Sequence, residues 1–274
     1  MKEVIHNYGA DNNLNGIASI PENINKKAAV LLLNAGVLHK VSAFDINIAF
    51  KKTLSDEGAL VFRFDLSGMG DSLKASQNLT LEEQIMCDLS QTMDMLEDKY
   101  NIHEFIVIGL CTGADNAHKI SALDQRVMGV VWLDGYAYPT AEFKKLNTAR
   151  HLKAAMKPDK LFRFMKRKIF KPNDVVSNAE DNYVWKLPDK EKYRAEMKKI
   201  FERGCKSLYF YSGGVNDYYL YENQFYDSFK GEDFLTSIDV EYNCDADHLY
   251  VIRRHRFAML LRLTAWVEKH FSIT

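Results

Sequence analysis

The sequence predicts an α/β fold, a mostly parallel sheet with helices packed on both faces. Three observations predict it. Four short runs, at residues 28–33 (AAVLLL), 59–64 (ALVFRF), 105–108 (FIVI) and 127–133 (VMGVVWL), are almost continuously apolar, as strands buried on both faces must be. Amphipathic, helix-like stretches lie between them, and that alternation is the pattern of a doubly wound sheet. The chain has 274 residues, of which 47% are hydrophobic, enough to bury a sizeable core.

In chain order, residues 3–20 read as a leading antiparallel hairpin with turn signals at 9–15. The run at 28–33 is the first buried strand. Residues 44–56 put Phe44, Ile48 and Leu54 on a helical period. After the run at 59–64, Thr80 and Glu83 form a capping box that opens a helix reaching about Tyr100. The run at 105–108 leads through a turn into a helix over 114–123, and the run at 127–133 follows. Two more mixed runs, 207–211 (SLYFY) and 237–242 (SIDVEY), read as later strands, and 250–271 as a closing amphipathic helix.

Residues 137–203 break this rhythm. They hold no clean strand, and residues 144–171 carry eleven Lys/Arg against one acidic residue, Asp159. The predicted organisation is therefore a core of residues 1–136 and 204–274 interrupted by a helical cap insertion over 137–203. The basic run would suit an anionic substrate or an anionic membrane surface, or would simply be a solvated helical face.

Composition and motifs exclude several function classes. A net charge of −1 gives no general attraction to nucleic acid. The four cysteines, Cys87, Cys111, Cys205 and Cys244, form no CxxC pair, which argues against zinc ribbons and thioredoxin-like redox sites and for a reducing, cytoplasmic setting. No apolar run approaches the ~20 residues of a membrane span, and no secretory signal is visible. Gly68-Met69-Gly70 lacks the G-K-[ST] of a phosphate loop, and no G-x-G-x-x-G follows the first buried strand. No metal-ligand spacing is seen, so neither a metal nor an organic cofactor is expected.

One segment carries chemistry. Gly109-Leu110-Cys111-Thr112-Gly113 lies between a buried strand and a helix, a G-x-C-x-G elbow. Glycines two places away on each side let the backbone close around a strained tip residue. The tip projects above the sheet and sits at a helix N-terminus, whose dipole favours a thiolate. Cys111 is thus the candidate nucleophile. A nucleophile needs a base, and the base an orienting acid, in the chain order nucleophile, acid, His. Asp217 and His248 fall in loops after the last two strands, where open α/β sheets place their sites. Asp134, after the run ending at Leu133, is the alternative acid. Among eight histidines, His39 is the rival base, because it follows the first buried strand. The oxyanion would be held by the N–H of Thr112 and by the loop Asn34-Ala35-Gly36-Val37, with either Gly36 or Val37 as second donor.

Three blocks make the chain resemble the α/β-hydrolase superfamily over nearly its whole length. They are LLLNAGVLHKV (31–41), FRFDLSGMGDS (62–72) and IGLCTGAD (108–115). The second matches the superfamily's D-x-R-G-x-G-x-S loop at Asp65, Gly68, Gly70 and Ser72, with Ser67 where Arg is usual. The N-A-G-x-x-H block and the elbow cysteine are most similar to bacterial hydrolases associated with exosortase and exopolysaccharide gene clusters. The resemblance implies a nucleophile at Cys111, an acid at Asp217, a base at His248, oxyanion donors in the 34–37 loop, and a cap made by the insertion. The implied activity is acyl hydrolysis of an ester or thioester on a small-molecule or lipid-linked substrate. Acyl transfer in exopolysaccharide synthesis, or binding on a catalytically silent fold, are the alternatives.

Overall fold

A computed structural model describes residues 1–155 and 187–272. Its centre is an eight-stranded sheet. In chain order the strands are β1 (Lys2–Tyr8), β2 (Leu14–Ile20), β3 (Ala28–Leu32), β4 (Val61–Asp65), β5 (Glu104–Leu110), β6 (Val127–Leu133), β7 (Lys206–Ser212) and β8 (Ile238–Asn243). Their spatial order is β1-β2-β4-β3-β5-β6-β7-β8. The leading hairpin pairs antiparallel with β4, and the remaining six strands run parallel. Every strand expected from the sequence is present.

The apolar runs are continuous because each strand feeds two cores. Along β5, Phe105 and Val107 enter one core with Phe62, Trp132 and Tyr209. Ile106 and Ile108 enter the other, with Val30, Val131, Leu208 and Trp266. Successive side chains point to opposite faces, so a strand covered on both sides leaves few positions for a polar residue, and the buried Arg63 of β4 is paired with Glu3.

Helices α1 (Ile46–Asp56), α2 (Leu81–Tyr100), α3 (Thr112–Leu123), α4 (Ala141–Ala155), α5 (Lys190–Glu202), α6 (Gln224–Ser228) and α7 (Arg253–Phe271) cover the sheet. Thr80 caps α2 through the complete capping box with Glu83, which satisfies two of the helix's orphan donors. Phe44 departs from the expected helical face. It sits in a short 3-10 turn before α1 with φ 51° and is exposed.

Within the expected insertion, α5 belongs to the core. Its Tyr193, Met197 and Ile200 are buried in the same cluster as Trp132 and Tyr209, and Tyr193 stacks on His118 of α3 at 4.4 Å. This helix, inside the span expected to be the insertion, thus packs against the sheet. Most of the basic run, from residue 156 onward, lies outside the described residues. Among the described residues no helix is long and apolar enough to cross a membrane.

Candidate active site

The elbow between β5 and α3 is built by its glycines. Cys111 has φ 59° and ψ −123°, a conformation that costs a non-glycine residue of order 1–3 kcal/mol and persists only where the surroundings enforce it. A Cβ on Gly109 would lie 2.0 Å from the carbonyl oxygen of Gly113, and one on Gly113 would lie 2.6 Å from that of Asn34. Both glycines are thus required by close backbone approach. The Cys111 N–H continues the ladder to Leu133 O at 3.1 Å, and its carbonyl accepts from Ala114 N at 2.9 Å. The tip is anchored on both sides.

Beside the elbow, His248 lies in the loop after β8. Its Nδ1 bonds Asp134 Oδ2 at 2.7 Å, and the Cys111 side chain is close enough to favour the charged ring. One imidazole therefore stands between a thiol and a buried carboxylate. Asp134 follows β6 with φ 56° and is withdrawn from solvent. Its Oδ1 accepts from Ser212 N at 2.7 Å, its Oδ2 from Ser212 Oγ at 2.7 Å, and its carbonyl from Tyr218 Oη–H at 2.8 Å. The glycine pair after β7 lets the His248 loop approach. A Cβ on Gly213 would meet Cys244 O at 2.0 Å, and one on Gly214 would meet His248 N at 2.3 Å.

Comparison with known proteins agrees with this architecture. Residues 29–211, more than half of the chain, match the α/β-hydrolase fold family. The chain belongs to the α/β-hydrolase fold family. Solved structures share the fold at low identity. An esterase of Pyrococcus furiosus aligns at 17% identity over 99% of this chain and 92% of its own, with a TM-score of 0.63. The esterase domain of a Rhodothermus marinus protein aligns at 14% identity over 98% of each chain, with a TM-score of 0.59. An α/β hydrolase from Penicillium sp. sh18 aligns at 14% identity over 98% of each, with a TM-score of 0.57. No curated protein matches the chain significantly.

In this α/β-hydrolase the carboxylate on His248 is Asp134, and the expectation of Asp217 is corrected. The Asp217 side chain is 93% exposed and pairs with Arg150 Nη2 at 2.9 Å. The reason is local. A 3-10 turn over Gly213–Val215 follows β7 and carries Asp217 out to the surface. Ser212, at the strand end, instead supplies two donors to Asp134. No sequence signal marks Ser212 or Tyr218, since their roles depend on which neighbouring strand end they face.

Two further site expectations change. The Asn34 side chain is spent on its own loops. It is buried, its Nδ2 donates to Leu38 O at 2.8 Å and Asp65 Oδ1 at 3.0 Å, and its Oδ1 accepts from Leu66 N at 3.0 Å. It ties the β3 loop to the β4 loop. His39 bonds Asp71 Oδ2 at 3.1 Å, whereas the histidine on Asp134 is His248. Val37 is exposed at the loop tip. Thr112 and Gly36 do meet, through a bond from Gly36 N to Thr112 Oγ1 at 2.7 Å.

The family loop over residues 62–72 is explained by Asp65. Its fully buried carboxylate accepts from Asn34 Nδ2, from Lys40 N at 2.6 Å, from Lys40 Nζ at 2.7 Å and from Asp71 N at 3.0 Å. A Cβ on Gly70 would lie 2.3 Å from that carboxylate, so glycine is needed there. Ser72 Oγ donates to Asp65 O at 2.6 Å. The ligand atoms of His39, Asp65 and Asp71 lie within 4.8 Å of one another. Lys40 Nζ already bonds both carboxylates, reaching Asp71 Oδ2 at 2.5 Å, so the ammonium supplies the positive charge a metal would bring.

Electrostatics sharpen the pairing at the elbow. The hydrogen bond the ring gives to Asp134, with the Cys111 side chain nearby, outweighs burial and raises His248 to about 10. Both partners favour the charged ring. At neutral pH His248 is therefore an imidazolium. Its side chain stays 32% exposed, so the charged ring is open to a reactant.

Proposed function

We propose that this protein is a carboxylic ester or thioester hydrolase that works through an acyl-enzyme on Cys111. The observation that carries the reading is His248 bonded through Nδ1 to buried Asp134, with Cys111 close enough to favour the charged ring. The thiol proton passes to His248, and the thiolate so formed is the nucleophile. Sγ attacks the carbonyl carbon, a C–S bond forms, and the carbonyl π pair moves to oxygen. The N–H of Thr112, first residue of α3 and without an intrahelical acceptor, is one donor to that oxyanion. As the intermediate collapses, the bond to the leaving oxygen or sulfur breaks, and His248 gives it the proton. Neutral His248 then takes a proton from water, whose oxygen attacks the thioester. The acid leaves, and the proton returns the pair to its starting state. Asp134 orients the ring and stabilises its charge throughout.

The elbow cysteine and the Asn34-Ala35-Gly36 block place the chain, on our reading, beside the exosortase-associated bacterial hydrolases, with a small-molecule or lipid-linked acyl substrate. In that block Asn34 and His39 hold the loop, and Gly36 is the member next to the elbow. A cytoplasmic location fits the unpaired cysteines. Incubation with a small activated ester followed by intact-protein mass spectrometry tests the reading. Wild type should gain one acyl group that decays in water, and Cys111→Ala should gain none. An adduct that persists until an alcohol is added would replace hydrolysis by transfer. Equal labelling of both proteins would remove Cys111 from the chemistry.

A further inference from the structure

We infer that the hydroxyl of Thr112 is itself an oxyanion donor, coupled to Gly36 in a short relay. The inference rests on the Cys111 acyl-enzyme reading and adds a group to it. A backbone-only site would use Thr112 N–H and a free N–H from the β3 loop. Here the loop donor adjoining the elbow, Gly36 N, is already spent on Thr112 Oγ1 at 2.7 Å. A hydroxyl has one proton to give and two lone pairs to receive with. Accepting from Gly36 leaves the proton, and among the described residues Thr112 O–H has no acceptor.

Three features place that proton at the reacting carbonyl. Thr112 follows the nucleophile directly, so its N–H and O–H both leave the residue next to Cys111. Gly36 has φ 60°, and a Cβ there would meet nothing within 4 Å. The loop is therefore open at the point where the two residues join. Finally, a hydroxyl that accepts an N–H bond is polarised into a better donor, because hydrogen bonds in a chain strengthen one another. The chain Gly36 N–H to Thr112 Oγ, then Thr112 O–H to the oxyanion, delivers the loop's dipole through the side chain. Valine has the same shape and would break it. Serine would keep it.

The rate of Cys111 acylation by p-nitrophenyl acetate, followed in single turnovers, tests the relay. The proteins are wild type, Thr112→Val and Thr112→Ser, with Cys111→Ala as the blank and thermal melts confirming the fold. Thr112→Val should acylate about 10²-fold more slowly, the cost of one oxyanion donor, and Thr112→Ser should recover most of the rate. The preference for the ester over its thiono analogue, whose C=S accepts hydrogen bonds poorly, should shrink in Thr112→Val alone. A purely structural threonine would not move that ratio. Thr112→Val reacting at the wild-type rate or faster would overturn the relay and make the freed Gly36 N–H the donor. Absence of any Cys111-dependent adduct in wild type would instead overturn the acyl-enzyme reading beneath it.

Discussion

Asp65 and Asp134 are both fully buried at the carboxyl ends of strands, and both face a cation. Their cations differ. Asp65 holds Lys40, whose side chain is 2% exposed and whose ammonium also grips Asp71. Asp134 holds His248, which stays partly open to solvent and also reaches Cys111. The first pair is closed on itself and fixes two loops. The second has one end free for chemistry. A buried carboxylate alone does not mark a reactive site; an exchangeable proton on an accessible partner does.

That contrast breaks most sharply under substitution of the aspartates' partners. Asp134→Asn should lower the Cys111 acylation rate by about 10²- to 10⁴-fold, since the ring loses its orientation and charge partner, while the protein stays folded. Single-turnover kinetics with circular dichroism check both halves. Lys40→Met should do the reverse. Taking the ammonium from buried Asp65 costs about 3–5 kcal/mol, seen as a fall in Tm of roughly 10 °C or more, with a much smaller loss of rate per folded molecule. If Lys40→Met abolished the rate without lowering Tm, the division between a structural and a chemical pair would fail.

Smaller effects refine the picture. Gly214→Ala places a Cβ where His248 N now lies 2.3 Å away. The His248 loop must shift, and a displacement of that size lowers kcat by up to about 10²-fold, measured with KM at saturating ester. Asp217→Asn should change neither rate nor Tm appreciably, because an exposed ion pair contributes little. A loss of rate in Asp217→Asn comparable to that in Asp134→Asn would reverse the assignment of the acid.

The pH dependence follows from His248. Its folded pKa, raised to about 10 from an ordinary 6.5, makes its charged pair a source of stability that is complete below 6.5 and lost as pH rises through 10. In the proposed mechanism the imidazolium is also the proton donor to the leaving group, so the acylation rate should fall on the same alkaline limb. In Asp134→Asn that limb should move down toward the ordinary histidine range. Rate profiles and melts between pH 6 and pH 11 check the shift.

Much of this was legible in the residue pattern. Continuous apolar runs located the strands, because a doubly covered strand admits little else. The elbow was legible because only glycine tolerates approaches as close as those at Gly109 and Gly113. His248 was legible from chain order. The carboxylate bonded to His248 was not, since Asp134 and Asp217 both follow parallel strands at the correct end of the sheet. What separates them is the turn each enters: a positive φ with Ser212 as donor for Asp134, a 3-10 turn to the surface for Asp217. Asn34 and His39 misled for a related reason. Their block lies in the loop after β3, but their side chains turn toward Asp65 and Asp71, contacts set by residues about 30 positions away.

The charge state of His248 bears on the whole account, and NMR of its ring nitrogens against pH reads it directly. Wild type should hold an imidazolium through neutral pH and lose the proton near 10, and Cys111→Ala or Asp134→Asn should each bring that transition down. A His248 that titrates near 6.5 in all three proteins would contradict it.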